Sequence, residues 1–111
     1  MTKLGRYYSI LFMEDLKMNE NTIVKLIKQL DVTDLSGEKV MIDFSTGKYF
    51  LLKGAANEIW DMFSNSDSKK MSVMSIKNNL MEIYDVDEAT CLNSIYEFLT
   101  QMKANGFIEI M

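Results

Sequence analysis

Between Thr22 and Lys53 apolar residues alternate with polar ones or gather in short β-branched runs; beyond Gly54 they recur every three or four positions. A period of two places side chains on alternate faces of a strand, and a period near 3.6 gathers them on one face of a helix. TIVKLI and LDVTDL read as extended chain. After the turn signal Ser36-Gly37, Glu38 to Phe44 alternates, with Val40, Ile42 and Phe44 on one face and Met41 and Asp43 on the other. Ser45-Thr46-Gly47 closes a hairpin whose glycine supplies a left-handed backbone. Lys48 to Lys53 returns, with Phe50 and Leu52 pointing one way and Tyr49 and Leu51 the other. The pattern predicts a three-stranded antiparallel meander over about 30–35, 38–44 and 48–53.

Three helices are expected next. The first runs from Gly54 to about Ser64, with Ala56, Ile59, Trp60 and Phe63 as its apolar stripe. Asn65 to Lys70 reads as a polar loop, and Ser72 is a candidate N-cap for a helix to about Tyr84 carrying Val73, Ile76, Leu80 and Ile83. DVDE, from Asp85 to Glu88, resembles a capping box with Asp85 as the cap. The third helix reaches about Asn105 through Leu92, Ile95, Leu99 and Met102, and Gly106 stops it. FIEI is expected to be extended. Sheet first, then three helices with a short helix–turn–helix link at Asp85 to Asp87, is an α+β, winged-helix-like order. Residues 1–21 form an N-terminal extension without an assignment; Tyr7, Ile10, Leu11 and Glu14 share one helical face there. Residues 22–111 form the domain.

Composition narrows the function. With 111 residues and half of them apolar, the chain builds one core. It has no histidine, which removes Ser-His-Asp and Cys-His catalysis and histidine metal sites. Cys91 is the single cysteine, so no intrachain disulfide or thiolate cluster forms, and a reducing, cytoplasmic setting is expected. The longest apolar run, Tyr7 to Met13, is far short of the ~18–20 residues of a membrane span, and it lacks a signal-peptide cleavage site. The net charge of −4 is uneven: residues 1–30 carry +2 and residues 31–111 carry −6. Asp85, Asp87 and Glu88 lack the spacing and glycine of an EF-hand, and Thr46-Gly47-Lys48 lacks the rest of a P-loop.

The stretch SGEKVMIDFSTGKYFLLKGAANEIWDMF resembles the PqqD-like family, named for the small chaperone of pyrroloquinoline quinone biosynthesis. The likeness lies in the order Ile42-Asp43, Thr46-Gly47, Tyr49-Phe50 with Leu52, then Ala56 with Ile59-Trp60. IYEFLTQMKANGFIE resembles the family's closing helix, and the match spans about residues 22–111. Lys53 departs from the family, which often has asparagine there. The resemblance implies a non-catalytic domain that needs no cofactor. It would bind the leader segment of a ribosomally made precursor peptide and present it to a separate enzyme, a radical S-adenosylmethionine protein or a lasso-type protease. It also implies the mode: the leader pairs with the third strand and drops side chains into a groove beside the third helix.

That mode selects candidate residues. Lys48, Tyr49, Phe50, Leu51, Leu52 and Lys53 form a proline-free edge on which every amide can donate. Leu92, Tyr96, Leu99 and Lys103 lie along one flank of the third helix, and Cys91 and Phe98 form the opposite flank as the alternative wall. The flanking lysines also have a plainer use, protecting an edge from aggregation. Two other functions compete. A winged-helix DNA-binding regulator needs a basic recognition helix, but residues 85–111 carry only Lys103 against Asp85, Asp87, Glu88, Glu97 and Glu109. A purely structural, dimerising subunit remains, since open edges also allow a homodimer.

Overall fold

A computed structural model describes residues 18–111; the helical face at Tyr7, Ile10, Leu11 and Glu14 lies outside the described residues. The elements are β1 (Ile23–Leu26), β2 (Asp31–Leu35), β3 (Glu38–Asp43), β4 (Lys48–Leu52), α1 (Ala55–Asn65), β5 (Lys70–Ser72), α2 (Val73–Ile83), α3 (Glu88–Ala104) and β6 (Ile108–Ile110). β2, β3 and β4 form the expected antiparallel meander, and the fold is α+β. A second three-stranded sheet, β5-β1-β6, also antiparallel, was not expected. It pairs TIVKLI, which the sequence marks only as extended chain, so that Val24 meets Met71 on one side and Ile110 on the other. Its partners lie about 45 and 85 residues along the chain, too far for local periodicity to report.

The buried face of β3 is the polar-looking one. Lys39, Met41 and Asp43 point inward, while Val40 and Ile42 are half-buried on the outer face and Phe44 is exposed in the turn. Two inward charges are tolerated because each is neutralised locally. Lys39 meets Asp34 across the β2–β3 pair, and Asp61 of α1 at 2.9 Å. Asp43 accepts from Lys28 Nζ at 2.9 Å, Ser45 Oγ at 2.7 Å and the Ser45 amide at 3.1 Å. These bonds, the Lys28 ammonium foremost, lower the Asp43 carboxyl to about 2.

The helices bury most of their expected stripes. Ile59, Trp60 and Phe63 of α1, Val73, Ile76 and Leu80 of α2, and Cys91, Ile95, Phe98, Leu99 and Met102 of α3 form one core with Val24, Met41, Leu52, Phe107 and Ile108. Ile83 is the exception, 54% exposed at the last turn of α2. Ser72 caps α2 by accepting from the Ser75 amide at 3.1 Å, as expected. The cap of α3 is Asp87 rather than Asp85: its carboxylate accepts from the Thr90 amide at 2.7 Å. Three residues from cap to amide is the reach of an aspartate side chain, and two acids in DVDE compete for one role. Gly106, at φ 78°, turns the chain out of α3 and into β6.

Candidate functional site

β2 and β3 are joined by Ser36 and Gly37, with φ 46° and 90°, a two-residue turn of the primed type. Such a turn makes Leu35 and Glu38 a hydrogen-bonded pair, and bonded pairs alternate along an antiparallel ladder. Lys39, Met41 and Asp43 therefore direct their backbone groups to β4, where they meet Leu52, Phe50 and Lys48. The backbone groups of Tyr49 and Leu51 turn the other way. β4 ends the sheet, so among the described residues these groups face an open edge.

Side chains along β4 divide as the alternation requires. Tyr49 and Leu51 stand on the outer face, 75% and 52% exposed. Leu52 is core, and Phe50 packs edge-on against Phe107, ring centroids 5.3 Å apart, which ties β4 to the residue following α3. Lys48 and Lys53 are exposed at the ends of the edge, and Lys53 lies 3.8 Å from Glu38.

The α3 candidates separate. Leu99 is fully buried and presents nothing to a ligand. Leu92, Tyr96 and Lys103 are half-buried along one flank. Burial raises the Tyr96 phenol first of all, and the Glu20 carboxylate adds to it while Lys77 opposes it. Lys77 itself joins Glu20 at 2.7 Å to Glu88 at 2.6 Å, so this flank lies near the lysine that ties α2 to the N-terminal edge of the domain. The opposite flank faces the start of α1. Cys91 and Ser94 share a cavity of about 290 Å³ with Ala55, Leu80, Tyr84, Asp85 and Val86, and Ala55 begins α1 just beyond β4. Sequence reasoning missed Ala55, Tyr84 and Ser94; their signal is the proximity of a strand exit to a helix–turn–helix corner, which no spacing encodes. Burial pushes the Cys91 thiol up, away from nucleophilic chemistry. Among the described residues no group of three or more Asp, Glu, Cys or His side chains gathers to hold a metal.

A proline-less strand edge, open among the described residues and carrying exposed aromatic and aliphatic side chains, is suited to taking an extended peptide as a fourth strand. The comparisons agree with this architecture. The solved structure described as TbiB1 in complex with the TbiA(beta) leader peptide superposes with a TM-score of 0.66 at 21% identity, covering 77% of this chain and 94% of that one, a likeness of fold. No curated protein sequence matches the chain. The family model for coenzyme PQQ synthesis protein D matches residues 38–108, from the first residue of β3 to the first of β6. The chain belongs to the PqqD family.

Proposed function

We propose that this protein binds the leader segment of a ribosomally synthesised precursor peptide by strand addition to β4 and presents it to a separate modifying enzyme. The observation that carries the reading is the β4 edge, open among the described residues, with the backbone groups of Tyr49 and Leu51 turned outward. Family membership supports it, as does the leader peptide in the TbiB1 structure. Among the described residues the sheet has two open edges, β2 and β4, and charge selects between them. Lys48 and Lys53 flank β4, whereas Asp31 and Asp34 lie on β2, so an acidic leader is drawn to β4. Main-chain pairing supplies affinity with little sequence demand. An apolar leader side chain entering the cavity of about 290 Å³ supplies specificity. The groove wall is assigned to Cys91 and Ser94, which line that cavity, with Leu92, Tyr96 and Lys103 on the other flank of α3. The modification belongs to the partner enzyme, of radical S-adenosylmethionine or lasso-protease type, acting in the cytoplasm.

The test is a titration with the synthetic leader segment of a candidate precursor peptide. Leu51→Pro removes an outward donor without touching the β3–β4 ladder and is expected to weaken binding at least tenfold with an unchanged circular dichroism spectrum. Ser94→Trp fills the cavity and is expected to weaken it likewise, while Tyr96→Ala stays within about twofold of the parent. If folded Leu51→Pro binds like the parent, strand addition at β4 is wrong.

A further inference from the structure

The second open edge of the meander has its own cleft. Val32 and Asp34 of β2 turn their backbone groups away from β3, by the same alternation that frees Tyr49 and Leu51, and among the described residues no strand covers them. Beside this edge lies a cleft of about 710 Å³. Its floor is Val32 and Trp60, one wall is the Ile27–Leu30 connection, and the other is α1 at Asp61 and Ser64. A strand added ~4.8 Å beyond β2 would hang its inward side chains over this cleft.

The charge is reversed. Lys28 is neutralised by Asp43 at 2.9 Å. Of the remaining groups around the β2 edge and its cleft, Asp31, Asp34 and Asp61 outnumber Lys39 and Lys69. Lys39 is itself buried between two of those carboxylates, and Lys69 donates to the Ser64 carbonyl at 2.9 Å. Asp31, Asp34 and Asp61 reach solvent, while at β4 the exposed pair is Lys48 and Lys53. We propose that the β2 edge and the cleft between β2 and α1 dock an extended, basic segment of a partner protein, on the side of the sheet opposite the β4 edge. One sheet would then hold two extended chains of opposite charge, three strands apart, which is a physical means of holding a peptide and its processing partner together.

The experiment uses the full chain, labelled for NMR, and two capped pentapeptides in which valine alternates either with lysine or with glutamate. With the lysine peptide, shift changes and slowed amide exchange are expected at Val32 and Asp34 and not at Tyr49 and Leu51. Trp60, the single tryptophan, lines the cleft and is expected to change its emission. Asp31→Lys, at an exposed position, is expected to weaken the effect several-fold, and Val32→Pro to abolish it. Should Val32→Pro fail to fold, Asp31→Lys alone decides. Three results overturn the proposal: the lysine peptide perturbs β4 or nothing; both peptides act equally on β2; or the Val32 and Asp34 amides are already protected without peptide, which would mean that the chain covers this edge itself. The glutamate peptide is the charge control at β2, and its own effect at Tyr49 and Leu51 bears on the leader site alone, so failure of one reading is distinguishable from failure of the other.

Discussion

Single residues decide which face of β3 is the inside. Met41 is fully buried among Phe50, Val32 and the helices, whereas Ile42 stands on the outer face next to Tyr49. Met41→Ala is therefore expected to cost ~2–5 kcal/mol, and Ile42→Ala clearly less, measured by urea unfolding. Asp43 adds a pH dependence. Its folded value, about 2, is below that of an unfolded aspartate, so its contribution is complete above the unfolded value and lost as pH falls through the folded one. The melting temperature is expected to drop between about pH 4 and pH 2. Asp43→Asn is expected to flatten that leg; an unchanged acid limb would contradict the role given to Lys28 and Ser45.

At the scale of elements, the helix caps separate acids that look alike in the sequence. Asp87 accepts from the Thr90 amide, which lowers its carboxyl, while Asp85 lines the nearby cavity and caps nothing. Asp87→Ala is expected to cost about 0.5–2 kcal/mol, and Asp85→Ala to fall within about half a kcal/mol of the parent, by thermal or denaturant unfolding. The strand edge follows the same logic of position. Phe50 directs its amide into the β3–β4 ladder, so proline there breaks the sheet, whereas proline at Leu51 removes only an outward donor. Circular dichroism of the two variants checks the alternation before any ligand is added, with the loss of structure expected for Phe50→Pro alone.

For the whole molecule, the arrangement of charge argues against a nucleic-acid reader more strongly than the net value does. α3 occupies the position of a recognition helix, yet it carries Glu88 and Glu97 against Lys103, and Asp87 caps it. No duplex DNA binding is expected to survive physiological salt; a sequence-specific gel shift under those conditions would overturn the functional reading. The same molecule ties distant segments through Lys77, whose ammonium bridges Glu20 and Glu88 and is held charged by them, Glu20 first. The proposed leader surface is held on a frame in which the second sheet joins Ile23–Leu26, Lys70–Ser72 and Ile108–Ile110.

Most of the elements were legible because they rest on local chemistry. The alternation of Glu38–Asp43 and Lys48–Leu52, the left-handed glycines at the turns, the Ser72 cap and the 3.6-residue stripes are all properties of neighbours in the chain. The strand half of the candidate site is legible for the same reason, since a meander without proline must end in an edge. What the sequence could not state depends on contacts between distant residues. The inward face of β3 was ambiguous because Lys39 and Asp43 become tolerable inside only when Asp34, Asp61 and Lys28 arrive to neutralise them. The second sheet was invisible because β5 and β6 are three residues each and pair with a strand far upstream. The pattern favours Leu92, Tyr96, Leu99 and Lys103 as the groove wall over Cys91 and Phe98, but a stripe wider than the core gives both flanks the same spacing, and Leu99 proves fully buried. Periodicity names the residues that share a face; only packing decides which neighbour that face meets.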